Sequence, residues 1–155
     1  MNSIEIHQTS ASDVPALKHV LNQIELFPSD LLEGMIAPFL VGETEAFWLT
    51  CHANGRPVGF CFTAPEEMTN GTWNLLAIGI LPELQRRGMG AALISAVEAE
   101  LCRREGRLLL IETSGTASFE AVQRFYRHLG YVQVARIPEF WAAGDDKVIF
   151  SKLLN

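Results

Sequence analysis

Alternating apolar and polar positions mark the strands of this chain. Residues 4–8 alternate regularly, which is the pattern of a strand with one buried face. Segments 47–53 and 56–63 are rich in aromatic and β-branched residues. They flank Asn54-Gly55, which favours a tight hairpin turn because both turn residues need positive φ. The predicted strands are, in chain order, residues 4–8, 47–53, 56–63, 72–80, 108–111, 131–137 and 147–154.

Apolar residues that recur every three or four positions predict helices between these strands. The clearest apolar stripe lies in residues 88–104 and consists of Met89, Leu93, Val97 and Leu101. Four helices are predicted, beginning at residue 10 or 12, after residue 30, at residue 88 and near residue 119. The order β-α-α-β-β-β-α-β-α-β-β predicts an α/β fold in which a mixed sheet is flanked by helices.

The sequences of two predicted strands also indicate their burial, their pairing and a local irregularity. Residues 108–111 form a continuous apolar run, which is typical of a central strand buried on both faces. Because a helix separates strand 72–80 from this run, the two strands are expected to form a parallel pair with a right-handed crossover. Gly79 interrupts strand 72–80, and a glycine there indicates a β-bulge or a close approach by another part of the chain.

Composition narrows the class of protein. A chain of 155 residues, nearly half of them apolar, suits one domain over residues 1–155 with one core. The net charge of −6 argues against a nucleic-acid partner, which would favour a basic face. The sequence contains neither a signal region nor an apolar run of bilayer-spanning length, so no membrane partner is expected.

The cysteines indicate the compartment. Cys51, Cys61 and Cys102 lie in apolar runs with neither a paired framework nor metal-ligand spacing, so each is expected to pack as a small hydrophobe. We therefore expect a cytoplasmic protein that binds no metal. Homodimers are the commonest soluble assemblies, and a homodimer is the expected state, although no residue pattern points to one.

The stretch of residues 78–90 holds the strongest chemical signal. It predicts a strand, a basic connection and a helix whose start contains Gly88 and Gly90. Glycines let backbone N–H groups approach an anion closely, and the helix dipole adds a favourable field. Arg86 and Arg87 add positive charge beside this helix N-terminus. The stretch therefore indicates a site for phosphate.

Two motifs together resemble the signatures of the GNAT acetyltransferase superfamily. The stretch Gln85-Arg86-Arg87-Gly88-Met89-Gly90 is similar to the acyl-CoA signature of that family. The later stretch Arg124-Phe125-Tyr126-Arg127-His128-Leu129-Gly130-Tyr131 is similar to its second signature. The predicted order of elements matches over nearly the whole chain. The resemblance implies the GNAT fold, with about seven mostly antiparallel strands, one splayed parallel pair and about four helices. It also implies acetyl-CoA as the co-substrate.

The resemblance further implies which residues contact acetyl-CoA. Ile78 and Ile80 would pair through their backbones with the pantetheine arm, and residues 85–90 would wrap the pyrophosphate. A bulge near Gly79 would splay the parallel strands, and a backbone N–H close to Ile80 would stabilise the developing oxyanion. Ser118 would either meet the pantetheine or only cap the following helix.

Catalysis by such a protein needs a proton donor and a base. Tyr126 lies where the family has the general acid for the departing thiolate, although an aromatic there also fits the apolar stripe of its helix. Asn74 occupies the position of a glutamate that the family often uses as a base. Asparagine cannot take a proton, so Asn74 is a candidate for substrate binding only. Glu112 is the next candidate base, with a solvated or ion-paired strand-end carboxylate as the alternative.

Acidic residues near the last strand are candidates for the acceptor site. Asp145 and Asp146 fall in the loop predicted before strand 147–154, where they would either attract a cationic amine or simply form a turn. None of the cysteines has the setting of a nucleophile. Direct transfer without an acyl-enzyme is therefore expected.

The leading hypothesis is an N-acetyltransferase that moves the acetyl group of acetyl-CoA to a primary amine by direct attack in a ternary complex. The acceptor would be a small molecule, an amino-acid derivative or a peptide amine. The alternative is a catalytically silent acyl-CoA-binding sensor of the same fold, which the missing strand glutamate favours and the retained Tyr126 disfavours. A nucleotide-hydrolysing loop is not supported, because the glycine stretch does not end in Gly-Lys-Ser/Thr.

Overall fold

The computed structural model describes residues 3–155 and contains one seven-stranded sheet flanked by four helices. The strands are β1 (Ile4–Gln8), β2 (Phe47–Ala53), β3 (Arg56–Pro65), β4 (Thr72–Ile80), β5 (Leu108–Ser114), β6 (Val132–Ala142) and β7 (Asp145–Leu153). The helices are α1 (Val14–Gln23), α2 (Leu32–Leu40), α3 (Met89–Arg103) and α4 (Glu120–His128). Short 3-10 turns cover Ala11–Asp13, Ser29–Leu31, Pro82–Leu84 and Ala117–Phe119.

The strand order is β1-β2-β3-β4-β5-β7-β6. β4 and β5 run parallel, and the other neighbouring strands are antiparallel. The order of elements and the mixed, mostly antiparallel sheet are therefore confirmed. The predicted loop before the last strand is wrong, because residues 138–142 belong to β6 and Asp145 opens β7. β6 is an edge strand whose pairing shifts register twice, and an edge strand tolerates Pro138 because it has no second neighbour.

Helices cover the two faces of the sheet over β2, β3 and β4. On one face, Trp48 and Phe60 stack at 5.9 Å, and Phe27, which follows α1, meets Phe60 edge-on. On the other face, Phe47 packs against Trp73 at 5.8 Å, and the Arg104 guanidinium at the end of α3 lies over the Phe47 ring. The predicted stripe of α3 is confirmed as its buried face.

β5 is covered by helices on one face only. Leu109 and Ile111 are buried, whereas Leu110 and Glu112 on the opposite face are partly exposed. The expectation of a strand buried on both faces is therefore wrong. Ile111 lies opposite Phe150, and the ring of Tyr126 on α4 packs against Phe150 on this same face. The other face of β5 and β7 lacks a comparable helix layer among residues 3–155.

The parallel pair separates after four residues. β4 and β5 pair from Thr72 to Leu75, and beyond Leu75 the two strands have no partner residues in common. A β-bulge lies at this point, because Phe62 is opposite Ala77 and Thr63 is opposite Leu75, so Leu76 is the extra residue. The bulge predicted near Gly79 therefore lies three residues earlier in β4.

Gly79 allows the chain after α1 to approach β4 closely and is not part of the bulge. It pairs regularly with Phe60. A Cβ at this position would lie 2.5 Å from Cδ1 of Ile24, the residue that follows α1. The missing side chain therefore lets the end of α1 lie directly on the free part of β4.

Substituting Gly59 with alanine is expected to destabilise this part of the sheet. Gly59 pairs with Ile80, and a Cβ there would lie 2.8 Å from the carbonyl oxygen of Gly79, which is backbone and cannot easily move. We expect the free energy of unfolding to fall by about 1–3 kcal/mol, measured by urea denaturation. Gly34→Ala in α2 is the control, because a Cβ there meets nothing within 4 Å, and it should raise stability by about 0.5–1 kcal/mol. An unchanged midpoint for Gly59→Ala would contradict this packing.

Candidate functional site

A cleft of about 570 Å³ opens where β4 and β5 separate. Its walls are the second half of β4, the end of β5, the connection from β4 to α3, the start of α3 and one face of α4. The predicted site residues that line it are Ile78, Gly79, Ile80, Gln85, Arg86, Gly88, Gly90, Glu112, Ser118 and Tyr126. The structure thus gathers most of the predicted residues around one space.

The connection between β4 and α3 presents unused backbone amides. Among the hydrogen bonds of residues 3–155, none uses the N–H groups of the consecutive residues from Arg86 to Ala91 as donors. The loop can turn these amides outward because Arg86 and Gly88 have φ of +64° and +85°. A Cβ at Gly88 would meet nothing within 4 Å, so the space in front of the helix start is open. Such a group of amides at a helix N-terminus can bind an anion.

Positive side chains and a strand contact surround these amides. Arg86 and Arg87 are exposed and form no ion pair within residues 3–155, so both charges are available to an anion. Gln85 donates from Nε2 to the carbonyl oxygen of Ile80 at 3.1 Å and ties the loop to the end of β4. The residues present therefore fit the pyrophosphate of a coenzyme A molecule.

Three residues of the glycine stretch have structural reasons for their identity. A Cβ at Gly90 would lie 3.3 Å from Cζ of Phe125, so this glycine permits close packing of α3 against α4. The side chain of Met89 is buried in the core, which leaves only its backbone N–H on the side of the loop. Gly88 is the glycine of this stretch that the backbone conformation requires.

The free edge of β4 faces the cleft. The N–H of Leu81, the residue after β4, donates to the carbonyl oxygen of Val58 in β3 at 2.9 Å. Because strand residues direct their backbone groups alternately to the two sides, Ile78 and Ile80 direct theirs away from β3 and towards the cleft. The carbonyl oxygen of Ile80 is occupied by Gln85, whereas its N–H is available on this edge.

Tyr126 is a buried phenol with a free hydroxyl. Its ring packs against Phe150 and Phe125 at 5.8 and 5.6 Å, and burial raises the pKa of Tyr126 to about 12. Its hydroxyl makes no hydrogen bond within residues 3–155, although the residue lines the cleft. The phenol is therefore protonated at neutral pH and can donate. The other tyrosine, Tyr131, donates instead to Glu98 at 2.6 Å.

Glu112 reaches the cleft from the opposite face of the sheet. Its neighbour Ile111 faces Tyr126, so Glu112 points to the other side. Its Oε1 atom lies 2.7 Å from Nζ of Lys147, and its Oε2 atom accepts a hydrogen bond from Nδ2 of Asn74 at 2.9 Å. Glu112 is therefore ion-paired and also lines the cleft, while its role as a base stays a prediction.

The remaining predicted residues lie away from the cleft or have local partners. Asp145 accepts a hydrogen bond from Oγ of Ser114. Asp146 accepts one from the backbone N–H of Glu139 and pairs with Arg136 at 2.8 Å; these contacts lower the pKa of Asp146. Asp146 thus stabilises the β6–β7 hairpin, whereas Asp145 connects the start of β7 to the end of β5.

Ser118 lies inside a 3-10 turn and its hydroxyl contacts Oγ1 of Thr116, so the expectation that it caps the helix is wrong. Arg87, Met89 and Asn74 do not line the cleft. Asn74 nevertheless contacts Glu112, which does line it.

The three cysteines differ in burial, and the described residues contain no cluster of candidate metal ligands. Cys51 and Cys61 are buried, and burial raises the pKa of Cys61 to about 12, whereas Cys102 is exposed, contrary to expectation. Among residues 3–155, no three His, Cys, Asp or Glu side chains form a group that could hold a metal ion. None of the helices in this part of the chain is both long and apolar enough to cross a membrane.

Sequence reasoning missed several residues of the site. Residues 24–26, which follow α1, line the cleft because the chain leaves the helix directly above Gly79. Glu66 and Lys147 contact the Asn74–Glu112 pair from a hairpin end and from β7. No local pattern distinguishes either residue, because their positions depend on which strands become neighbours.

Comparison with known proteins gives the family. The model of the acetyltransferase (GNAT) domain matches residues 43–133, more than half of the chain. No curated protein sequence matches the chain. A Desulfovibrio desulfuricans protein, described as a GNAT-family acetyltransferase, superposes with a TM-score of 0.87 at 24% identity over 100% of both chains.

Two further solved structures share the fold. The Escherichia coli ribosomal-protein-S18-alanine N-acetyltransferase has a TM-score of 0.77 at 22% identity, over 100% of this chain and 95% of that one. The yncA protein of Salmonella typhimurium, solved with its cofactor acetyl-CoA, has a TM-score of 0.77 at 17% identity, over 98% and 94%. These likenesses establish the fold, and the domain match establishes that the chain belongs to the GNAT acetyltransferase family.

Proposed function

We propose that this protein transfers the acetyl group of acetyl-CoA to a primary amine by direct attack within a ternary complex. The observation that supports this most strongly is the row of unused amides from Arg86 to Ala91 beside a cleft that contains the free hydroxyl of Tyr126. Anion-binding amides suit the pyrophosphate of CoA, and a proton donor suits the thiolate that leaves the thioester. Membership of the GNAT family supports the same reaction.

Acetyl-CoA would be bound mainly by backbone groups. The amides of residues 86–91 and the guanidinium groups of Arg86 and Arg87 would hold the pyrophosphate. The backbone groups of Ile78 on the free edge of β4 would pair with the pantetheine arm, which leaves the N–H of Ile80 for the thioester. Ser118, at the other wall of the cleft, would contact the same arm. When bound, acetyl-CoA supplies a thioester whose carbonyl carbon accepts the amine.

Residues of the chain would then transfer the protons of the reaction and stabilise the negative charge that develops on the thioester. An alkyl ammonium with a pKa of about 10 must lose a proton before its nitrogen can attack, and Glu112 would accept that proton directly or through water. The N–H of Ile80 on the free edge of β4 would stabilise the negative charge that develops on the carbonyl oxygen. Tyr126 would donate its hydroxyl proton to the departing thiolate, whose pKa is about 8.5, as the carbon–sulfur bond breaks. The second proton that the nitrogen loses when the amide forms would return to the phenolate through water.

The value of kcat should rise with pH without a descending limb up to about pH 10. The ascending limb reports deprotonation of the bound acceptor amine, while Tyr126 keeps its proton because burial raises its pKa to about 12. The measurement is kcat at saturating amine from about pH 6 to pH 10, with circular dichroism at each pH as a control for folding. A loss of activity between pH 8 and about pH 10 in folded protein would mean that another group donates the proton.

The proposal is tested by following thiol release from acetyl-CoA with a panel of primary amines. The panel includes diamines, amino-acid amides, lysine-containing peptides and a peptide with N-terminal alanine. The last is included because one structural neighbour is an N-acetyltransferase of the alanine of ribosomal protein S18. We expect release that depends on both the protein and one class of amine. Binding of CoA without amine-dependent release for any member would support the acyl-CoA sensor instead.

A further inference from the structure

Four side chains form a polar cluster on the sheet face that α3 and α4 leave uncovered. We call Glu66, Asn74, Glu112 and Lys147 the acceptor-side cluster. Asn74 pairs with Leu110, so it shares a face with Glu112, two residues further along β5. Glu66 directly follows β3, and its side chain extends from the β3–β4 connection to Asn74.

Asn74 joins the two carboxylates of this cluster. Its Nδ2 atom donates one hydrogen bond to Oε1 of Glu66 and another to Oε2 of Glu112, both at 2.9 Å. The two acceptor oxygens are therefore less than about 6 Å apart. The Oδ1 atom of Asn74 is buried and has no hydrogen-bond partner within residues 3–155, and the residue is only 3% exposed. A buried carbonyl oxygen without a partner is rare in folded proteins and indicates a missing donor.

The charges of the cluster do not balance. Lys147 pairs with Glu112 at 2.7 Å, and its ammonium group lies 4.1 Å from the centroid of the Phe140 ring. Glu66 has no cationic partner within residues 3–155, and its single side-chain hydrogen bond comes from Asn74. Two carboxylates and one ammonium leave a net charge of −1. One further cation would make the cluster neutral.

A primary ammonium group would supply both the missing positive charge and the missing hydrogen-bond donor. It has a charge of +1 and three N–H donors. The cluster offers three acceptors for them, which are the carboxylates of Glu66 and Glu112 and the Oδ1 atom of Asn74. A hydroxyl or thiol acceptor would satisfy neither the charge nor the number of donors.

We propose that Glu66 is a second acceptor-side carboxylate, and that Glu66, Asn74 and Glu112 together bind the ammonium group of the acceptor before it loses its proton. This rests on the proposed function. Asn74 also holds the two carboxylates side by side through its Nδ2 atom. Glu66 thus provides, from the β3–β4 connection, a negative charge beside the asparagine of β4. The site would select acceptors that are cationic primary amines.

Binding of n-butylammonium chloride to the CoA-loaded protein tests this without requiring turnover. The titration is followed by NMR on the side-chain NH2 signals of Asn74, with sodium chloride at equal ionic strength as the reference. We expect saturable shifts in the wild-type protein and a dissociation constant about tenfold higher in Glu66→Gln, since glutamine keeps an acceptor oxygen but lacks the negative charge. Glu67→Gln, the neighbouring exposed carboxylate, is the matched control and should leave the constant unchanged.

The outcomes separate this inference from the proposed function. Absence of saturable shifts in the wild-type protein, or equal dissociation constants for wild type and Glu66→Gln, would overturn the role of Glu66. The dispersion of the same spectra shows whether the variant is folded, and Glu66→Asp should restore part of the affinity. If CoA and n-butylammonium bind as expected but thiol release never occurs, the transferase proposal fails while the ammonium subsite stands.

Discussion

Replacing Tyr126 with phenylalanine is expected to lower kcat about a hundredfold while leaving the fold and the affinity for CoA nearly unchanged. The substitution removes only the hydroxyl, and that hydroxyl makes no hydrogen bond within residues 3–155. The ring, which packs against Phe150 and Phe125, is retained. If the phenol protonates the departing thiolate, its loss slows that step alone. The measurement is kcat with the best amine of the panel, together with calorimetric binding of CoA.

Tyr131→Phe is the matched control for this experiment. Tyr131 donates its hydroxyl to Glu98, which also pairs with Lys152 at 3.2 Å, and none of these residues lines the cleft. Its loss should lower the free energy of unfolding by about 1–2 kcal/mol because Glu98 loses a hydrogen bond, with kcat unchanged. A Tyr126→Phe variant with kcat within twofold of wild type would show that the proton comes from elsewhere.

Replacing Gly88 with valine is expected to raise the dissociation constant of CoA about thirtyfold, which corresponds to about 2 kcal/mol. Gly88 has φ of +85°, and a β-branched residue adopts this conformation only with strain. Relief of that strain would turn the adjacent amides away from the anion, and the added methyl groups would occupy the open space in front of the helix. Isothermal titration calorimetry with CoA measures the effect.

Gly42→Val separates backbone strain from loss of the anion site. Gly42 also has positive φ, at +73°, and a Cβ there also meets nothing within 4 Å, but it follows α2 and does not line the cleft. Both variants should therefore lose similar stability, while only Gly88→Val loses CoA affinity. Equal affinities of the two variants for CoA would contradict the assignment of the phosphate loop.

The sequence predicted the order of elements because the deciding signals are local. Asn54-Gly55 needs only its own backbone to form a hairpin turn, and the stripe of α3 needs only its own periodicity. The bulge at Leu76 was missed because a bulge is a property of two paired strands, and Gly79 gave a local signal for a different contact. The length of β6 was missed because the chain there depends on pairing with β7 despite Pro138.

The candidate site likewise contains residues that local motifs predict and residues that only the strand order brings in. Gly88, Arg86 and Tyr126 lie within two short motifs, and the structure brings both motifs to one cleft. Glu66 and Lys147 come from a hairpin end and from a strand inserted between β5 and β6. Their contacts with Glu112 and Asn74 arise from strand order, which the hydrophobic pattern of a single chain does not specify. The association of Glu66 and Lys147 with Asn74 and Glu112 is therefore visible only in the folded protein.

The most direct test of acetyl transfer uses acetyl-CoA labelled with 13C at the carbonyl carbon. The wild-type protein, the labelled compound and the best amine of the panel are followed together by 13C NMR, with the free thiol measured in the same sample. We expect the thioester signal to be replaced by an amide signal on the amine, equimolar with the thiol and without a protein-bound acetyl signal. A thioester signal that persists beside every amine, or a label that accumulates on the protein, would contradict direct transfer to an amine.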